Sequence, residues 1–164
     1  MSRTGPVRAR RIEVTEEIRA FDTLAEADYS AAWEVMISAG DRRSAEQWAR
    51  AIFEGAPRAL RAFVVTGWIA GLRLRLGPRR SPDYVLGWTV VTTTPDLVIL
   101  SVQSWMMTAH LMVSVEEKRV VLGSFVRYEK RGASALWSTV QPLHHQILPY
   151  LFGRASSRSQ LLAT

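Results

Sequence analysis

Two adjacent histidines stand inside an apolar stripe in "STVQPLHHQILPYLFG", residues 138–153. An imidazole with an ordinary pKa near 6.5 takes either protonation state near neutrality, so a histidine facing a cavity can act as a general base or hold a polar ligand group. On a helix of 3.6 residues per turn, Ala133, Leu136, Trp137, Val140, His144, Ile147, Leu148 and Leu151 share one face. His144 therefore lies on the buried stripe, and His145, about 100° further round, lies at its edge or outside it. The plain alternative for His144 is a core histidine satisfied by a carbonyl or hydroxyl. His110 is a weaker candidate, because Thr108 and Ser114 share its strand face and that face reads as solvated.

Arg127, in "SFVRYE", is the second polar candidate. Turned inward, its guanidinium would hold a carboxylate or phenolate through paired hydrogen bonds; turned outward, it would pair with Glu129. Trp33, Trp88 and Trp137, with Trp68, Trp105, Met106, Met107 and Met112, offer walls for an apolar ligand pocket or simply core packing. The catalytic residue, if there is one, is unassigned beyond His144. Three histidines without a spaced carboxylate motif do not make a metal centre. The absence of cysteine removes disulfides, zinc fingers and thiol nucleophiles. No GxSxG elbow, phosphate-cradling glycine loop or dinucleotide fingerprint occurs, so no cofactor is expected.

The elements that would position these residues follow from period and punctuation. "DYSAAWEVMI" alternates Tyr29, Ala31, Trp33 and Val35 as a half-buried strand does. "SAEQ" at 44–47 has the form of a capping box and opens a helix whose apolar face is Ala45, Trp48, Ala49, Ile52 and Phe53. Pro57 opens a second helix expected to run through "RALRAFVVTGWIAGLRLRL". Its Gly67 and Gly71 are spaced for close packing against another element. Arg61, Arg73 and Arg75 interrupt it too often for a membrane span. Four runs rich in β-branched and aromatic residues, "YVLGWTVVTTT", "DLVILSVQS", "WMMTAHLMVSV" and "RVVLGSFVRYE", are separated by short turns and predict antiparallel hairpins. A long C-terminal helix follows, with Pro142 and Pro149 expected to bend it over the sheet.

The expected organisation is a flexible basic tail over 1–11, one domain over 12–155 and a flexible tail over 156–164. Within that domain, 12–27 reads as a connecting segment. A formal charge of +6 falls to +2 once Arg3, Arg8, Arg10 and Arg11 are set aside. With six acids between Glu13 and Asp28 available to receive that tail, nucleic-acid binding is not expected. No apolar run follows the early arginines, so no signal peptide is read and the expected location is the cytoplasm.

The order of strand, two helices, antiparallel strands and long helix matches the helix-grip architecture of the START-like, or SRPBCC, polyketide-cyclase-like superfamily, an α+β fold. In "DYSAAWEV", "SAEQWARAIFEGAPRALRA" and "WSTVQPLHHQILPYLFGRA" the chain resembles the bacterial DUF2867 family over roughly residues 27–155. That family carries no established activity, and His144 is the residue that matches its recurring P-x-H element. "VQSWMM" at 102–107 is more apolar than the family's usual hairpin, which suits a cavity lid or a partner surface. The resemblance implies a curved sheet wrapped around the last helix, with a cavity between them. A hydrophobic or amphipathic small molecule would bind there, contacted by His144, Arg127, Trp137, Trp88 and Trp33. Two alternatives stand beside this reading. One is a cyclase-like or dehydratase-like enzyme using His144 as acid or base. The other is an interaction module using the basic tail or the apolar 104–107 segment, which also admits a homodimer.

Overall fold

The alternating runs become strands of a single antiparallel sheet in the computed structural model, which describes residues 7–21, 24 and 26–162. Its strands are β1 (Arg10–Ile12), β2 (Tyr29–Met36), β3 (Arg80–Ser81), β4 (Tyr84–Val85), β5 (Trp88–Thr93), β6 (Leu97–Gln103), β7 (Met107–Val115) and β8 (Arg119–Tyr128). Their spatial order is β1-β2-β8-β7-β6-β5-β4-β3. The last strand thus returns to pair with β2 from Tyr29 opposite Val126 to Met36 opposite Arg119. The helices are α1 (Glu16–Phe21), α2 (Ala45–Phe53), α3 (Arg58–Thr66) and α4 (Ala133–Leu162), with one π-helical turn at Gly67–Gly71. The fold is α+β, and none of its described helices is long and apolar enough to cross a membrane.

One face of the sheet carries the main core. Ala31, Trp33 and Val35 of β2, Leu122 and Val126 of β8, and Met107, Leu111 and Val113 of β7 pack there against Trp48 and Ile52 of α2 and Trp137, Leu151 and Phe152 of α4. Trp48 and Phe152 meet edge to face with ring centres 6.1 Å apart, a pairing worth about 0.5–1.5 kcal/mol beyond the area it buries. The capping box forms as the sequence predicts: the Gln47 backbone donates to Ser44 Oγ at 3.2 Å, and the Ser44 backbone donates to Gln47 Oε1 at 2.9 Å. At the other end of α2, Arg154 and Arg158 of α4 both donate to the Gly55 carbonyl. Cations there meet the negative end of the helix dipole.

Several expectations need correction. The segment 12–27 is not merely a connector. Ile18 of α1 and Leu24 cover the sheet's second face, where they meet Ala32, Ile99, Met112, Val121 and Phe125. That cover extends burial to both faces of the central strands, and His110, expected to be solvated, is only 8% exposed. Residues 10 and 11 are not a free tail, because they begin β1 and pair with Glu34 and Trp33; residues 1–6 of that tail lie outside the described residues. Helix α3 passes after Thr66 into the π-helical turn that ends at Gly71, short of the expected end at Leu76, and a Cβ added at Gly67 or Gly71 would meet nothing within 4 Å. Close packing is therefore not what those glycines allow. Helix α4 runs uninterrupted through both prolines to Leu162, past the expected end at 155. Its later turns are held by the burial of Ala155 and Ser156 and by Arg43, which donates to the Ala155 carbonyl at 3.2 Å.

Candidate functional site

Helix α4 crosses the sheet with its apolar stripe turned inward, and that alone brings His144 over β8. On β8 the inward positions are Val120, Leu122, Ser124 and Val126, an alternation that a single serine breaks. Ser124 Oγ and His144 Nε2 lie 3.1 Å apart, within hydrogen-bond distance. Around them is a cavity of about 110 Å³, well above the roughly 10–15 Å³ that one water requires. Its floor is sheet, from Trp88, Met107, Leu111, Ser124 and Val126. Phe53, Phe63 and Trp68 close one side, and Trp137, Val140, Leu143, His144 and Ile147 of α4 close the other. Phe63 and Leu143 are also 54% and 42% exposed, which marks the cavity's mouth between α3 and α4.

Burial pushes the His144 imidazole down to about 3, helped by the neighbouring His145 and the Arg11 charge. Its ring is enclosed by aromatic neighbours, with centres 5.0 Å from Trp137, 6.0 Å from Trp33 and 6.2 Å from Tyr29. A neutral ring is therefore the resting state. The indole N–H groups of Trp88 and Trp137 are buried without a hydrogen-bond partner, on residues 5% and 4% exposed. Both residues line the cavity.

A second polar group sits behind this wall. Arg11 approaches His145 Nδ1 at 3.1 Å, while Tyr29 Oη bonds to Nε2 of the same ring. A guanidinium has only donors, so Nδ1 accepts, and the neutral ring carries its proton on Nε2 and donates it to the Tyr29 oxygen. The Tyr29 hydroxyl keeps its own proton. Burial first, then the Arg11 charge, holds His145 below its ordinary pKa. Burial also raises the Tyr29 phenol to about 12 even though Arg11 acts in the opposite direction. The Arg11 guanidinium carbon also lies 5.3 Å from the centre of the Trp33 ring.

Of the residues singled out in the sequence, His144, Trp137 and Trp88 come together at the cavity. Trp33 is buried beside both histidines but behind the lining. Arg127 is not brought in: Val126 takes the inward position, and Arg127 bonds to Glu129 at 2.8 and 2.9 Å. Sequence reading missed Ser124, whose signal is the polar break in an apolar alternation. It also missed the meeting of Arg11 and Tyr29 with His145, which lies more than 100 residues from both and, as expected, at the edge of the buried stripe. Among the described residues no group of three or more His, Asp or Glu side chains could hold a metal ion. No family model matches the chain, and no curated protein matches it.

Proposed function

We propose that this protein binds a hydrophobic or amphipathic small molecule, lipid-like or aromatic, in the cavity between the sheet and α4. The observation that carries the reading is an apolar cavity whose lining includes one hydrogen-bonded polar pair, Ser124 and His144. Ligand sites are built this way, with hydrophobic walls and a few placed polar groups. The return of β8 to β2 and the long α4 suit a helix-grip arrangement, in keeping with the resemblance to DUF2867 and the START-like superfamily. Trp137, Trp88 and His144 serve as ligand contacts, and Trp33 supports them from behind.

Binding is a better fit than acid–base catalysis. A general acid or base works best with a pKa near the operating pH, whereas burial leaves His144 neutral and weakly basic at pH 7. A tail-driven interaction is also less well supported, since Arg10 is committed to Glu34 and Arg11 to His145 within the chain. Native mass spectrometry of freshly purified protein, followed by a denatured run, tests the reading. A retained small molecule is expected, together with thermal stabilisation by aromatic or lipid-like compounds. Absence of both would overturn the proposal.

A further inference from the structure

Apolar surface gathers at the cavity's mouth. Among the described residues eight large hydrophobic side chains are exposed, and four of them, Phe63, Ile69, Trp105 and Leu143, belong to the segments around this opening. Phe63 and Leu143 line the cavity and still reach solvent. Ile69 lies in the π-helical turn between two further lining residues, Trp68 and Leu72. Trp105 stands in the turn between β6 and β7, two positions before the lining residue Met107. Two backbone bonds hold that turn in place: the Arg75 N–H donates to the Gln103 carbonyl and the Glu129 N–H to the Met106 carbonyl, both at 2.8 Å. Single exposed apolar residues need no explanation, whereas a cluster of them rimmed by charge marks a contact surface.

The charge around this cluster has one sign. Residues 55–82, 97–115 and 130–164 supply all four side chains, and none of these stretches contains an Asp or Glu. From 72 to 75 buried and exposed positions alternate, so Leu72 and Leu74 turn into the cavity wall while Arg73 and Arg75 turn to solvent. Arg131 is exposed beside the β6–β7 turn, next to Gly132, where an added Cβ would lie 3.6 Å from the Met106 methyl. None of these three arginines forms an ion pair or a side-chain hydrogen bond among the described residues. Glu129, two positions before Arg131, is already taken by Arg127 and Thr108.

We propose that this face docks on the surface of an anionic phospholipid bilayer, with Trp105, Ile69, Phe63 and Leu143 entering the interfacial layer and Arg73, Arg75 and Arg131 meeting the headgroup phosphates. Binding of this kind grows with the apolar area buried and with attraction to anionic lipid. An indole suits the boundary because its body is apolar and its N–H polar, and a guanidinium pairs with phosphate through parallel hydrogen bonds. A second copy of the chain is a poorer occupant, since a two-fold contact would set the same arginines against one another. A nucleic acid would meet the arginines but leave Ile69 and Leu143 without an apolar partner. Docking goes beyond the cavity reading and does not depend on what the cavity holds.

Cosedimentation of the full chain with vesicles tests the proposal, comparing phosphatidylcholine alone with a two-to-one mixture of phosphatidylcholine and phosphatidylglycerol. Binding to the mixture is expected to be at least about tenfold tighter and to weaken as salt is raised. Arg73→Gln, Arg75→Gln and Arg131→Gln together should weaken it on the order of 100-fold, about fivefold for each charge near the surface. Arg19→Gln, Arg42→Gln and Lys118→Gln remove the same net charge elsewhere and should weaken it about fivefold at most. Trp105→Ser should also weaken binding and reduce the blue shift of tryptophan emission that the mixture induces. Equal binding to the two vesicle types, binding to neither, or equal losses from the two triple variants would overturn docking. Self-association lost in Trp105→Ser, with no vesicle binding, would assign the face to a second copy instead and overturn it too. Ligand retention in native mass spectrometry is read separately, so failure of docking and failure of the cavity reading are distinguishable.

Discussion

The Arg11 guanidinium donates to Nδ1 of His145 at 3.1 Å and so ties the first strand to the last helix across 134 positions of sequence. The contact accounts for the paired histidines. His144 faces the cavity and bonds to the sheet through Ser124, while His145 faces the edge strands and bonds to Arg11 and Tyr29. One turn of α4 therefore fastens to β1, β2 and β8 together.

Acid should loosen this fastening. Both histidines have folded-state pKa values below the ordinary value, with His144 at about 3. Unfolding restores a value near 6.5, so the unfolded chain binds protons that the folded chain refuses. Their contribution to stability is complete above about pH 7 and declines as the pH falls through 6.5 towards the folded values. Urea unfolding should show a lower midpoint at pH 5 than at pH 7.5, with a flatter dependence in His144→Gln. A wild-type midpoint unchanged over that interval would contradict two histidines held neutral in the fold.

Removing the Ser124 hydroxyl strands a ring nitrogen. Ser124→Ala is expected to cost about 1–3 kcal/mol, the usual penalty for an unpaired buried polar group. Combining Ser124→Ala with His144→Leu should cost less than the two single changes added together. Chemical denaturation of the four proteins measures the coupling, and strict additivity would mean that the two side chains do not interact.

Glu34 is buried on β2 between two cations. It is bonded to Arg10 of β1 and, at 2.9 Å, to Arg119 of β8. The Arg10 bonds hold its carboxyl below the usual range against the opposing effect of burial. Both arginines reach solvent, so they can rehydrate when Glu34 is lost. Glu34→Gln should therefore destabilise by about 1–2 kcal/mol rather than the 3–5 typical of a fully buried broken pair. Arg10→Ala should cost less, since Arg119 still pairs with Glu34. Equilibrium unfolding at pH 7 distinguishes the two, and equal losses would refute the asymmetry.

Gly153 lets the N-terminal segment lie close against α4. A Cβ there would come 2.5 Å from the Val7 carbonyl oxygen, well inside van der Waals contact. Gly153→Ala favours the helix itself by about 1 kcal/mol but should lift residues 7–12 from its surface. Trypsin cleavage after Arg8, Arg10 or Arg11 is expected to accelerate several-fold while far-ultraviolet circular dichroism keeps its helical signal. Unchanged cleavage would show that the segment accommodates the methyl group.

Local rules made much of this architecture readable in advance. Period-two alternation marked β2, β-branched and aromatic runs parted by short turns marked the hairpins from β5 to β8, the Ser44–Gln47 pattern marked the start of α2, and 3.6-residue spacing placed His144 and Trp137 on one inward face. Arg127 was equally visible as a strand residue, yet its side could not be chosen until Val126 was seen to face the cavity. His110 shows the same limit in reverse. A polar strand face reads as solvated until a distant segment, here Ile18 and Leu24, is known to cover that side of the sheet.

By itself the sequence determined β2, α2, the strands from β5 to β8 and which stripe of α4 turns inward, because those choices depend on neighbours within a few residues, whereas β1 and α1 were not legible in it. Tertiary structure alone decided that Arg11, Tyr29 and His145 meet, that Ser124 receives His144, and that Trp88 and Trp137 line a shared cavity. Those groups belong to strands and helices far apart in the chain. Their juxtaposition depends on β8 returning to β2 and on α4 lying across the sheet, a matter of long-range pairing and packing that no local pattern encodes.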